Sequence, residues 1–375
     1  MNWRAHTGVA VRAMVRGYLA AIGFVLFALL VIALSIDLTD SLDGVRDRAA
    51  ATQTPLWRVL MPYLGYRAVD IVTRLLGMAA LIGAGLAASL RHQRLEDVVL
   101  SAAGATPGLM LSALLIVGVI TGAVQASFQN WLRPAAVERQ IAAQLGRYGR
   151  WFGNTDLEYR WITDGSRAMR AQVTRGADPA LRDIQYFEGI DTPALSRVIF
   201  AERAVPGARD GAWVLENATE WDSDAGIGMA TTTRDRIGID LPLNRARVRW
   251  FGIHGYYIPN PALKKIAGIE GLFAANDAAT SLAFRRMSFF LPGIFALLGA
   301  SLALAGRRGR RWAPFRLMVL ATVGYVILVS VKVFWALGIH GRIPPYPAAT
   351  IPLVVALSLS ALLLLHQGGY LRRRD

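Results

Sequence analysis

Apolar residues along this chain collect into long runs rather than alternating with polar ones. Six runs stand out, at 17–36, 75–90, 108–124, 287–305, 315–338 and 348–365. A helix needs about 20 apolar residues to cross the ~30 Å hydrocarbon core of a bilayer, so each run reads as a span. The pattern predicts six transmembrane helices. No small-residue cleavage site follows the first run, so it reads as a retained helix rather than a signal peptide.

The stretch from 135 to 286 obeys a different rule. Short runs at 157–162, 184–187, 197–201 and 211–215 are rich in aromatic and β-branched residues. Turn formers separate them: Asp164-Gly165, Asp178-Pro179, Pro206-Gly207 and Asp210-Gly211. Short strands at roughly ten-residue spacing predict an all-β sandwich or jelly-roll-like domain, because a parallel sheet would need helical crossovers. Leu263, Ile266, Ile269, Leu272 and Phe273 then recur at helical spacing. The plan is therefore transmembrane helices 1–3 over 1–134, the β domain over 135–260, a connecting helix over 261–286 and helices 4–6 over 287–375. The fold class is an α-helical polytopic membrane protein with a β domain inserted between helices 3 and 4.

Composition agrees, since 54% of residues are hydrophobic and 18% charged. Lys and Arg number 41 against 26 Asp and Glu. Such an excess could indicate nucleic acid, but its placement points elsewhere. Arg4, Arg12 and Arg16 precede the first run, Arg91 and Arg94 follow the second, Arg307, Arg308, Arg310 and Arg311 follow the fourth, and Arg372, Arg373 and Arg374 close the chain. These are alternate loops. Under the positive-inside rule they are cytoplasmic, with both termini inside and 135–286 periplasmic. No nucleic-acid partner is expected.

The chain has no P-loop, HExxH, Cys–His pair or Gly-x-Ser-x-Gly elbow. It has no cysteine, and His6, His92, His254, His340 and His366 lack a second ligand at helical spacing. No catalytic residue, metal or cofactor is expected.

Three spans, a β domain and three more spans resemble the LptF/LptG family of lipopolysaccharide-export permeases. Residues 95–107 (LEDVVLSAAGATP) resemble that family's cytoplasmic coupling helix, and Asn130-Trp131-Leu132-Arg133-Pro134-Ala135 its exit into the periplasm. Residues 211–218 (GAWVLENA) resemble its GW-L-N strand, and 337–352 (LGIHGRIPPYPAATIP) the turn before its last span. The Ile36-Asp37-Leu38 ending of the first span and Pro344-Pro345 lean toward the LptG-like member.

The resemblance implies a permease subunit of an ABC exporter in the bacterial inner membrane, moving lipopolysaccharide toward the outer membrane through the β domain. Its implied partners are a second homologous permease, a cytoplasmic ATPase dimer, a single-span periplasmic jelly-roll protein (LptC-like) and a periplasmic bridge protein. The rival reading is a membrane-anchored periplasmic scaffold or sensor without transport.

Without a nucleotide motif, energy must enter through a cytoplasmic contact. Residues 95–103 form a short amphipathic segment with Arg91, Arg94, Glu96 and Asp97 at its front and Gly104 at its close. By resemblance, Glu96 faces the ATPase; otherwise the segment is a solvated interfacial turn.

Charges at membrane depth are costly, which makes them functional candidates. Arg67, Asp70 and Arg74 share one helix face and either hold substrate phosphate or snorkel to water. Lys332, inside the fifth run, either snorkels or meets an anionic headgroup in a cavity. The family's first helix can carry basic residues for substrate phosphates, whereas this chain has Asp37, Asp40 and Asp43. Either Arg46, Arg48 or the partner supplies the basic contacts, or the headgroup carries less phosphate.

Overall fold

A computed structural model describes residues 3–102, 108–153, 156–175, 179–209, 211–222, 231–241, 243–268, 273–308, 311–312 and 314–367. The chain divides into two compact units. One comprises Met1–Val137 with Ala283–Asp375, the other Glu138–Leu282.

The first unit is helical. It contains α1 (Trp3–Ala51), α2 (Leu56–Gln93), the short α3 (Glu96–Ala102) and α4 (Gly108–Ser127). A π-helical segment, Phe128–Leu132, joins α4 to α5 (Arg133–Ala142). Helix α9 (Phe273–Met287) begins in the second unit and has its last residues, from Ala283, in this one, followed by α10 (Leu291–Ala305), α11 (Pro314–Ile339) and α12 (Pro345–Gln367). A two-strand ribbon, Arg307–Arg308 with Arg311–Trp312, lies between α10 and α11.

Among the described residues, five helices are long and apolar enough to span a membrane. The fourth expected span is instead a pair, Ala274–Met287 and Leu291–Ala305, bent by 60° at the break, and it brings the number to six if counted as one. Pro292 at the start of α10 accounts for the break, since its ring cannot continue α9's hydrogen-bond ladder.

Helix α10 organises this unit. Its Ala296, Ala300 and Ala303 pack with Tyr18 and Ile22 of α1, Leu76 and Ala84 of α2 and Val117 of α4. Its Phe295, Leu298 and Leu302 pack with Ile327 of α11 and Leu353 of α12. Small residues permit this, because small side chains let helix backbones approach closely. A methyl group at Gly299 would overlap the Leu81 carbonyl of α2, and one at Gly83 would come within 2.6 Å of the Ile22 Cα of α1.

The second unit carries an all-β domain, six antiparallel strands in one sheet: β1 (Asp156–Asp164), β2 (Arg167–Thr174), β3 (Ala180–Glu188), β4 (Arg197–Pro206), β5 (Ala212–Asp222) and β6 (Thr231–Asp240). They pair in chain order, an up-and-down meander. A two-sheet sandwich or jelly roll would send strands across to a second sheet, whereas each described strand here pairs with the next one in the chain. Helix α6 (Gly146–Phe152) precedes the sheet, while α7 (Arg245–Arg249) and α8 (Asn260–Ala267) follow it. The expected connecting helix over 261–286 corresponds to α8 and α9, with 269–272 outside the described residues.

All six strands feed one core, including Ile162, Met169, Leu181, Ile184, Ile199, Leu215 and Ile237. The inward alternation skips a beat along a line across three strands. Leu181 is followed inward by Ile184, Ala201 by Ala204, and Leu215 by Ala218. The residues at the skips are neighbours, as Arg182 pairs with Arg203 and Arg203 with Glu216. Asp183 (φ 47°) and Asn217 (φ 52°) supply the left-handed backbone there, a conformation that Asp and Asn tolerate better than most residues. This gives the GAWVLENA motif its physical reason. Trp213 and Leu215 fill the core, Trp213 donates its indole N–H to the Leu243 carbonyl at 2.6 Å, and Asn217 turns the strand.

Candidate functional site

The site in the helical unit begins with the spacing of Arg67, Asp70 and Arg74 on α2. Separations of three and four residues stack side chains on one helix face. Asp70 is fully buried and receives Arg67 Nη1 at 3.1 Å and Arg74 Nη2 at 2.8 Å. It also receives the Nε of Arg133 at 2.8 Å.

Arg133 reaches Asp70 through the π-helical segment that precedes it. One extra residue in a helical turn rotates everything after it by about 100° relative to an uninterrupted α-helix. The buried Arg133 therefore points at α2. Gln125, about two turns earlier on α4, donates to the Thr73 carbonyl at 2.9 Å and ties α4 to α2.

A second carboxylate comes from α1. Asp37 accepts the Tyr63 hydroxyl at 2.6 Å and the Arg67 Nε at 2.8 Å, and Arg67 Nη2 closes a bidentate pair with it. Arg285 of α9 is almost completely buried and close enough to Arg133 for their charges to repel. The cluster thus holds four guanidinium groups and two carboxylates, with Arg74 half-exposed at its edge. It can bind an anion, since excess buried positive charge is costly unless countered.

The second candidate is α3. Leu95, at φ 59°, makes the turn from α2 into α3. The buried Arg91 donates to Glu96 at 3.3 Å and stacks its guanidinium over Tyr18 of α1 at 5.8 Å. Glu96 is therefore anchored to α2. Val99 offers the apolar exposed surface of the helix, at 65% exposure, and Arg94 is exposed beside it. The Asp97 side chain and Gly104 lie outside the described residues.

Lys332 is exposed on α11, and Arg46 is exposed on α1 beside Asp43 at 3.8 Å. Neither joins the ionic cluster among the described residues. Sequence reasoning placed Arg67, Asp70 and Arg74 on one face but missed Asp37 and Arg133 as their partners. Asp37 had a signal, as a carboxylate closing an uncharged apolar run. The reach of Arg133 had none, because it depends on the π segment.

The second unit has a cavity of about 210 Å³ lined largely by Trp250, Phe251, Ile253, Ile258 and Ile266, with Asp277 at its edge. Asp277 is buried, accepts the Gly255 N–H at 2.8 Å and lies 3.8 Å from His254 Nδ1. The neighbouring Asp277 carboxylate raises the pKa of His254, against the opposing effect of burial. Among the described residues, no group of three His, Cys, Asp or Glu could hold a metal ion.

Membrane-length helices, an inserted antiparallel β domain and an arginine-rich cluster among the spans together define a multi-pass membrane protein. The family model for the lipopolysaccharide export system permease LptF/LptG matches residues 12–366, and the chain belongs to that family. It is accordingly a transport permease subunit of the inner membrane, working within the lipopolysaccharide transport system. A comparison with curated proteins finds no match.

Proposed function

We propose that this chain is one permease half of an ABC exporter that draws lipopolysaccharide from the inner membrane and passes it outward through its β domain. The family match over nearly the whole chain carries the reading. Both termini are cytoplasmic and residues 135–286 periplasmic, in keeping with the basic loops. A second, homologous permease completes the transport cavity. A cytoplasmic ATPase dimer, an LptC-like single-span protein and a periplasmic bridge protein complete the assembly. The Asp37 and Pro344-Pro345 features support the LptG-like position within it.

Uneven coverage of the spans supports this assembly. In its most apolar stretch α1 is 6% buried and α11 11%, against 56% for α2. Helices α1 and α11 serve as the gates that face the partner permease and the lipid. The ATPase pushes on α3, with Val99 and Arg94 in contact and the Arg91–Glu96 pair passing the force to α2 and, through Tyr18, to α1. Arg74 and Arg67 meet the anionic headgroup, and Lys332 and Arg46 add positive charge along its route.

Purification of the full chain with its associated subunits tests this reading. The expected result is a co-purifying ATPase whose hydrolysis rises with lipopolysaccharide, and loss of that coupling in Glu96→Lys, which sets two cations together at Arg91. An isolated chain, or an ATPase indifferent to the lipid, would favour the scaffold reading instead.

A further inference from the structure

We propose that Asp37 is an exchangeable latch on α1, its carboxylate occupying the place that a phosphate group takes on Arg67 when the anionic ligand arrives. The inference deepens the exporter reading, on which the lipid origin of the phosphate rests; the latch itself needs only the geometry.

Three observations carry it. The first is charge. Arg67 pairs with both Asp37 and Asp70, Arg74 and Arg133 pair with Asp70, Arg285 lies near Arg133, and Asp37 is a carboxylate that α1 contributes. Asp70 sits at the centre of its arginines, fully buried on the same helix as two of them. Asp37 is attached from outside, so it is the carboxylate that can leave.

The second is the shape of the contact. Asp37 takes two guanidinium N–H groups in a fork and one phenolic O–H from Tyr63. A phosphate monoester accepts the same donor set, since guanidinium forks fit phosphate oxygens as they fit carboxylates. The half-exposed Arg74 provides an entry point beside the buried pair.

The third is how α1 is held. Met14, Tyr18 and Ile22 are buried below this level and Ser41, Val45 and Ala49 above it, while no residue from 23 to 40 is buried. Through that stretch α1 touches the bundle by partly buried contacts such as Val25, Leu26 and Leu29, and Asp37 supplies its ion pair to α2. When a phosphate takes Arg67, the middle of α1 loses this ion pair to α2 and can bow away. The anion would thereby open the gate past which it moves.

The chain contains no cysteine, so spin labels can be attached at Phe27→Cys on α1 and Leu115→Cys on α4, both exposed, without altering any native thiol. Distance distributions are measured on the full chain with its co-purifying subunits, in nanodiscs of phosphatidylethanolamine and phosphatidylglycerol. Bisphosphorylated lipid A is expected to shift the distribution, and dephosphorylated lipid A to leave it in place. A shift with inorganic phosphate alone also supports the latch and assigns the exchange to free phosphate. Asp37→Asn is expected to show the shifted distribution without any lipid, and Tyr63→Phe, which keeps the ion pair and removes one hydrogen bond, a smaller shift. If Asp37→Asn does not fold, Tyr63→Phe decides. Unshifted distributions in the folded variants, or an equal shift with dephosphorylated lipid, would overturn the latch. The exporter reading fails by a different measurement, an absence of lipid-stimulated ATP hydrolysis, so the two failures are separable.

Discussion

Helices α2 and α10 differ from α1 and α11 in coverage, and the better-covered α2 is less apolar than the open α1. Ten of the fifteen residues of α10 are buried, and α10 meets α2 through glycines that admit no side chain. The middle of α1 and most of α11 remain uncovered. Apolar surface gains nothing from helix contact in lipid, so coverage reflects close backbone approach and polar ties rather than hydrophobicity. The difference marks α2 and α10 as the fixed frame and α1 and α11 as the elements available to a partner or to movement.

The largest test of that contrast lies at Asp70. Asp70→Asn leaves Arg67 and Arg133 buried without their shared carboxylate, and breaking a buried ion pair from one side costs about 3–5 kcal/mol. A large fall in melting temperature in detergent is expected. A variant as stable as the parent would mean that the cluster does not anchor the frame.

Next comes Gly299→Ala on α10, whose methyl would overlap the Leu81 carbonyl. Overpacking of this kind costs about 1–3 kcal/mol, read as a lower melting temperature, and Gly23→Ala in the open face of α1 serves as the control, since nothing stands within 4 Å of it. Equal effects at the two glycines would erase the distinction between frame and gate.

Smaller still is Ile36→Ala on α1, 62% exposed. Its stability change is expected within about 0.5 kcal/mol, as for other substitutions outside packed cores. Recovery of the partner permease on purification should fall instead. A stability loss without a loss of partner would show that α1 is already fully seated.

The smallest effect extends the contrast to the second unit, where the half-exposed His254 pairs with the buried Asp277. A folded pKa above the ordinary value of about 6.5 means that the protonated pair stabilises fully below that pH. The contribution is lost as pH rises through the raised folded pKa. Melting temperature should therefore decline modestly between neutral and alkaline pH, and the decline should flatten in His254→Gln.

Legibility in the sequence followed the kind of signal available. Long apolar runs exposed the spans at once, but not the 60° break, because the fourth run began where α9 was still helical. In the β domain, runs at 157–162, 184–187, 197–201 and 211–215 lie within β1, β3, β4 and β5 or overlap them. Strands β2 (RAMRAQVT) and β6 (TTTRDRIGID) escaped notice, since their inward positions include alanine, and β6 buries only Ile237 and Ile239. At the candidate site, Arg67, Asp70 and Arg74 declared themselves by spacing within one helix.

What the chain itself determined, before any folding partner is considered, is therefore local. Runs long enough for a bilayer, turn formers between short strands and basic loops at alternate positions follow from transfer free energy and backbone preference within a few residues. Tertiary structure alone decided that Asp37 of α1 and Arg133 beyond α4 converge on the charged face of α2, and that α1 stays uncovered in between. The reason is physical. Burying charge requires partners from other helices, and which partners arrive depends on the turn of a π segment and on glycines that set how closely the helices approach.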